Sequence, residues 1–146
     1  MKRIFAILIT ILLSGCTTQK ETTSESNKRV AGSFDSDGTR INYVSQGSGD
    51  PVVLIHGYLV DTDHNWIEPG ILDSLARDFR VIAMDVRGHG SSEKPATSDV
   101  YGKTILQDII HLLDHLNIDA AHIVGYSMGG EITMAFQTHY PERVKK

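Results

Sequence analysis

Apolar and polar residues alternate along the chain in blocks that predict strands and helices in turn. Continuous apolar runs predict three strands, at residues 52–55, 81–84 and 122–124. Such runs are typical of strands buried on both faces of a sheet. A further pair of strands, at residues 31–35 and 39–45, flanks the turn residues Ser36-Asp37-Gly38 and predicts a β-hairpin.

The helical periodicity is clearest at residues 101–116, where apolar residues recur at i, i+4, i+7, i+8 and i+11. Two more helices are predicted at 66–77 and 129–140, and Pro141 ends the second of these. Strands that alternate with helices imply βαβ units with right-handed crossovers. The pattern therefore predicts an α/β domain with a mostly parallel sheet flanked by helices.

The N-terminus has the pattern of an export signal. Lys2 and Arg3 precede an apolar run at residues 4–13. Ten helical residues cover only about half of a ~30 Å hydrocarbon core, so the run is too short to span a bilayer comfortably and has the length of a signal-peptide core.

Residues 13–16, Leu-Ser-Gly-Cys, resemble the bacterial lipobox. The resemblance implies lipidation of Cys16, cleavage before it, and a lipid-anchored exported protein on a bacterial cell membrane or outer membrane. An ordinary signal peptide with a chance cysteine is the alternative. We therefore predict a lipoprotein signal peptide at residues 1–15, a polar flexible tether at 16–33, and the folded domain at 34–146.

Charge and cysteine content narrow the possible functions. The chain has 14 Lys and Arg against 18 Asp and Glu, a formal net charge of −4. This balance argues against nucleic acid as the main ligand, because phosphate binding needs a cationic surface. A single cysteine rules out a disulfide within the chain.

The strongest chemical motif is Gly125-Tyr126-Ser127-Met128-Gly129, which is G-x-S-x-G between a predicted strand and a predicted helix. A serine on so tight a turn has strained backbone dihedrals, and its glycine neighbours avoid clashes because they lack Cβ. The turn would raise the hydroxyl above the sheet at the N-terminus of the helix, which favours a developing oxyanion.

Two further motifs follow the other buried strands, namely His56-Gly57-Tyr58 and the D-x-R-G-x-G-x-S segment at residues 85–92. Together the three motifs resemble the α/β-hydrolase superfamily, over about residues 34–146. The resemblance implies that Ser127 is the nucleophile and that the N–H groups of Tyr58 and Met128 bind the oxyanion. It also implies supporting roles for His56, Gly57, Gly125 and Gly129, a small acyl substrate, and neither metal nor cofactor.

The same family places the catalytic acid and then the catalytic histidine after the nucleophile. Residues 141–146 look like the lead into a further strand, so we expect this chain to be the N-terminal portion of the fold, cut short of both groups and inactive alone. Two alternatives remain, a non-catalytic surface lipoprotein and a cofactor-free haloperoxidase-like member. Serine in place of aspartate argues against epoxide-hydrolase and dehalogenase chemistry. The oligomeric state is not predicted.

Some polar residues have two interpretations. Residues 61–64, with Asp61, Asp63 and His64, either line a substrate pocket or form a surface loop. Trp66 and Tyr126 either shape an acyl pocket or only pack. His111 and His115 have the i, i+4 spacing that can bind a metal, but a solvated helix face is favoured.

Overall fold

The computed structural model describes residues 27–145, and the predicted signal peptide and Cys16 lie outside that range. Five strands form one sheet in the order β1-β2-β4-β3-β5. Their bounds are β1 Val30–Ser36, β2 Thr39–Gln46, β3 Pro51–Ile55, β4 Arg80–Met84 and β5 His122–Gly125.

The sheet is mixed. Strands β1, β2 and β4 pair antiparallel, whereas β4, β3 and β5 pair parallel. The α/β class is confirmed, but the antiparallel hairpin supplies so many pairings that the described sheet is not mostly parallel. Asp37 and Gly38 both have positive φ, 51° and 80°, as a two-residue hairpin turn requires.

Three α-helices accompany the sheet, α1 Ile71–Leu75, α2 Thr104–His115 and α3 Met128–His139. Alternate residues of β3 face opposite sides, with Val53 and Ile55 in the core under α2 and α3. Val52 and Leu54 belong to a second core that contains Trp66 and α1. The central strands are therefore buried on both faces, as their continuous apolar sequence predicts.

The helix predicted at 66–77 is wrong in extent. A π-helical turn at Asp63–Ile67 and the short helix α1 replace it, because Pro69 and Gly70 separate them and Gly70 has φ 74°. Likewise, α2 begins at Thr104 rather than residue 101, just after Gly102 with φ 71°. Left-handed residues of this kind end helical geometry.

Two other observations concern the ends of the described segment. Strand β1 starts at Val30, so the residues from 30 to 33 lie in the sheet rather than in the predicted tether. Val144 forms a parallel bridge with Ala121 at the outer edge of β5. Within residues 27–145 no helix is long and apolar enough to cross a bilayer.

Candidate active site

The segment that joins β5 to α3 turns sharply at Ser127, which has φ 52° and ψ −115°. Positive φ is uncommon for residues other than glycine and costs energy that the surrounding structure has to offset. Hydrogen bonds hold the turn on both sides. Gly129 N–H donates to Tyr126 O at 2.9 Å, and Gly130 N–H donates to Ser127 O at 2.8 Å. Ser127 itself is exposed to solvent.

The glycines that flank Ser127 are required by close backbone contacts. A Cβ on Gly125 would overlap the carbonyl group of Gly129. A Cβ on Gly129 would overlap the carbonyl group of Ile55 and would lie 2.8 Å from His56 O. The two glycines let the first turn of α3 lie directly against the ends of β3 and β5. This packing accounts for the G-x-S-x-G spacing.

Two backbone donors lie beside the turn without an acceptor. Met128 N–H is the first amide of α3, and among the hydrogen bonds of residues 27–145 it has no partner; neither does Tyr58 N–H. Tyr58 and Met128 both line one open cavity of about 610 Å³. An unpaired N–H group at a helix N-terminus, such as that of Met128, favours negative charge nearby.

His56 has two hydrogen bonds that account for both of its ring nitrogens. Nε2 accepts from Val86 N–H at 3.0 Å, and Nδ1 lies 2.7 Å from Gly57 O, to which it donates. The side chain is fully buried, and burial lowers its pKa below the ordinary value. His56 is therefore a neutral residue that joins the turn after β3 to the loop after β4.

Asp85 organises the loop that follows β4. Its carboxylate accepts Thr62 N–H at 2.9 Å and Ser91 N–H at 2.7 Å, and Ser92 Oγ donates to its backbone carbonyl at 2.7 Å. Gly90, with φ 47°, packs against the carboxylate so closely that a Cβ would overlap it. The D-x-R-G-x-G-x-S segment is thus a framework around the cavity, not a set of groups free to react.

The most buried charges of the domain were not singled out by the sequence analysis. Arg87 and Asp108 are 1% and 0% exposed, and Arg87 Nε donates to Asp108 Oδ2 at 2.7 Å. The hydrogen bond that Arg87 donates to Asp108 raises the pKa of Arg87. Ser36 Oγ also donates to Asp108, so the hairpin, the loop and α2 meet here. Asp108 follows Ile105 by three residues on the apolar stripe of α2, which is a signal that could have identified it.

Some of the residues with two interpretations in the sequence are buried in a core, and others line the cavity. Trp66 is buried in the second core with its indole N–H unpaired, whereas Tyr126 is 60% exposed. Asp61 and His64 line the cavity, and His64 Nδ1 lies 2.7 Å from Asp61 Oδ1. That hydrogen bond raises the pKa of His64. The pKa of Asp61 is lowered, chiefly by the hydrogen bond that its carboxylate accepts from the His64 backbone N–H and further by the side-chain bond. Asp63 lies on a different pocket.

The two α2 histidines contact the hairpin rather than forming a purely solvated face. His111 Nδ1 is 2.8 Å from Ser36 Oγ, and the His115 ring stacks on Phe34. In the segment from 27 to 145, no three His, Cys, Asp or Glu side chains are grouped so as to hold a metal ion. No histidine of that segment hydrogen-bonds to the Ser127 hydroxyl; His139, on the same helix, is instead 2.8 Å from Ala135 O.

Asn65 is a further residue of the site that the sequence did not predict. Its Oδ1 accepts a hydrogen bond from Gly57 N–H at 2.7 Å, next to the Tyr58 donor. An asparagine in a polar loop gives no periodic signal, so only the three-dimensional contact identifies it.

Comparison with known proteins gives a consistent picture. The sequence model of the alpha/beta hydrolase fold matches residues 50–146. A soluble epoxide hydrolase of Corynebacterium sp. (strain C12) is 39% identical over 100 residues, which are 68% of this chain and 33% of that protein. A 2-hydroxymuconate semialdehyde hydrolase of Pseudomonas sp. (strain CF600) is 37% identical over 111 residues, 75% of this chain and 38% of that protein.

Among solved structures, a mutant epoxide hydrolase of Vigna radiata superposes with a TM-score of 0.73 at 30% identity. The superposition covers 80% of this chain and 36% of that one. The chain thus spans between a third and two fifths of the length of these relatives.

Proposed function

The chain belongs to the α/β-hydrolase family, and on that premise we propose that it carries the nucleophile and oxyanion donors of a serine hydrolase acting on esters or related acyl compounds. The observation that carries the proposal is the exposed Ser127 at a strained turn, followed directly by the unpaired N–H of Met128, which lines one cavity together with Tyr58. Strained residues cluster at active sites, and the exposure of Ser127 argues against a role in packing.

The proposed reaction proceeds through an acyl-enzyme. Ser127 Oγ attacks the substrate carbonyl carbon while its proton passes to a base, and the carbonyl oxygen becomes an oxyanion held by Tyr58 and Met128. Collapse expels the alcohol, which takes up the proton, and leaves an ester on Ser127. Water, deprotonated by the same base, then attacks this ester, and the base returns the proton to Ser127 Oγ as the C–O bond breaks and the acid is released.

The base in this scheme comes from outside residues 27–145. Within that segment no histidine hydrogen-bonds to the Ser127 hydroxyl. His56 is held neutral between two loops, and His64 bonds to Asp61. His89 lines the cavity, but its Nδ1 lies 3.2 Å from Arg87 O. Without a base a serine hydroxyl is a weak nucleophile, and removing the catalytic histidine typically costs ~10⁶-fold in rate. The activity is therefore proposed for the complete gene product.

Serine at the turn also argues against epoxide hydrolysis by this chain. Opening of an epoxide through a covalent ester needs a carboxylate nucleophile, and a hydroxyl at position 127 does not supply one. An acyl substrate suits a hydroxyl nucleophile, since the resulting ester is readily hydrolysed by water.

The experiment is labelling of the complete gene product with a fluorophosphonate probe, together with turnover of p-nitrophenyl acetate. We expect stoichiometric labelling and turnover, both abolished in Ser127→Ala. Asp61→Asn serves as a control, since Asp61 lies on the cavity wall but takes no part in the reaction; it should retain labelling. Equal labelling of wild type and Ser127→Ala would contradict the proposal.

We further propose that the protein is held at a membrane through a lipid on Cys16. The support is the sequence of residues 1–16, and the polar residues that follow would let the domain stand away from the bilayer. Wild-type protein should fractionate with membranes and incorporate labelled palmitate, and Cys16→Ala should do neither. Palmitate incorporation that persists in Cys16→Ala would refute lipidation at this residue.

A further inference from the structure

We propose that Asn65 is a positioning residue that fixes the direction of the Tyr58 N–H donor. The inference rests on the proposed function, because it assigns a role within the same site. Asn65 lies in the π-helical turn Asp63–Ile67, and its own N–H donates to Asp61 O at 3.2 Å. Its side chain reaches back to the turn after β3, where Oδ1 accepts Gly57 N–H at 2.7 Å.

Gly57 is held from both sides. Asn65 fixes the peptide unit before it, through Gly57 N–H, and His56 fixes the unit after it, through a hydrogen bond to Gly57 O at 2.7 Å. A glycine rotates more freely about φ and ψ than any other residue. Because both of its peptide units are held by hydrogen bonds, Gly57 cannot rotate freely, and Tyr58 is the next residue in the chain.

The consequence for Tyr58 follows from peptide geometry. In a planar trans unit, the C=O of Gly57 and the N–H of Tyr58 point in opposite directions. Holding the carbonyl toward His56 therefore aims the Tyr58 N–H away from the His56 ring, and Tyr58 and Met128 line the same cavity. Donors contribute to catalysis when they are aimed before the charge develops, and removal of one donor typically costs ~10²–10³ in kcat.

If Asn65 is lost, Gly57 retains only the His56 contact. The turn that carries the Tyr58 N–H is then held by one contact instead of two, so the direction of this donor is less well defined. Its effect on the transition state falls, while substrate binding changes little. We expect Asn65→Ala to lower kcat by roughly 10–100-fold, below the full loss of a donor. Because ground-state contacts remain, KM should stay within about 2-fold.

The experiment measures kcat and KM for p-nitrophenyl acetate in the complete gene product. Asn42→Ala is the matched control, since Asn42 Nδ2 also bonds a loop carbonyl, that of Ser91, away from the Tyr58 turn. Asn65→Asp keeps an acceptor for Gly57 N–H and should retain more activity than Asn65→Ala. Asn65→Ser, whose hydroxyl is too short to reach, should behave like Asn65→Ala and serves if the alanine variant does not fold.

The outcomes separate this inference from the proposed function. A kcat loss with KM preserved in the alanine or serine variant, and neither change in Asn42→Ala, supports it. Wild-type kcat in the alanine variant, or in the serine variant if alanine does not fold, overturns it. So does a kcat loss of equal size in Asn42→Ala. If the wild-type protein hydrolyses no ester and Ser127 is not labelled, it is the proposed function that fails.

Discussion

Replacing Gly129 by alanine tests whether the first turn of α3 must lie against the end of β3. The new Cβ would lie 2.7 Å from the carbonyl carbon of Ile55, about 0.7 Å inside the 3.4 Å at which ordinary contact begins, and would overlap the carbonyl oxygen. Both neighbours are backbone atoms, so the helix or the strand has to move. Overpacking of this kind costs typically about 1–3 kcal/mol.

Gly130→Ala is the matched control. A Cβ on Gly130 would have its nearest contact at 3.6 Å, with Gly125 O, which is ordinary packing. Alanine in place of glycine inside a helix stabilises by up to ~1 kcal/mol. The free energies of unfolding of the two variants should therefore differ by roughly 1–4 kcal/mol, although the substitutions are at neighbouring positions.

The two variants should differ in reactivity as well. A displacement approaching 1 Å at reacting groups can cost ~10²-fold in rate. We expect Gly129→Ala to react with a fluorophosphonate probe at least about 10-fold more slowly than wild type, and Gly130→Ala at the wild-type rate. Chemical denaturation and labelling kinetics of the complete gene product give both numbers. Equal stability and equal labelling of the two variants would refute the reasoning.

Three further predictions concern a buried ion pair, a buried histidine, and the catalytic base that is proposed to lie outside residues 27–145. Asp108→Ala leaves the guanidinium of Arg87 buried without its carboxylate, and should lower the free energy of unfolding by about 3–5 kcal/mol in urea denaturation; a loss below 1 kcal/mol would contradict this. Burial lowers the pKa of His56 in the folded protein, so protons bind this residue more readily in the unfolded chain. The contribution of His56 to the free energy of unfolding is therefore complete above its ordinary pKa of ~6.5 and falls as the pH drops toward the folded-state pKa. His56→Gln should flatten that part of a stability–pH profile, and an unchanged slope would count against it. Residues 16–146 expressed alone should give no p-nitrophenyl acetate turnover that depends on Ser127, which Ser127→Ala checks.

Much of the fold can be predicted from short sequence patterns within single strands, helices and turns. The strands at 52–55, 81–84 and 122–124 are recognisable because burial on both faces leaves no polar position, and the observed strands differ by one residue at one end. The hairpin turn was evident from Asp37-Gly38, which accepts positive φ. The α/β class follows from these elements alone.

The sequence predictions are wrong or incomplete where one residue breaks a helix or where the contact is between distant positions. Pro69-Gly70 divides the segment that was predicted as one helix. The prediction was wrong because it relied on the spacing of the apolar residues on either side and gave too little weight to the helix-breaking pair between them. The relation of Asp108 to Arg87 depends on residues 21 positions apart, which no periodicity connects. Asn65 shows the same limit, since its partner Gly57 is specified by the path of a loop and not by the sequence between them.

The proposed reaction requires a covalent ester on Ser127, which can be detected directly. The complete gene product can be mixed with excess p-nitrophenyl acetate, quenched in acid within milliseconds to seconds, digested and analysed by mass spectrometry. We predict an acetyl group on the peptide that contains Ser127, at the serine itself, which disappears on longer incubation as substrate is exhausted. Turnover with that peptide unmodified throughout, or acetylation of another residue during turnover, would contradict the account.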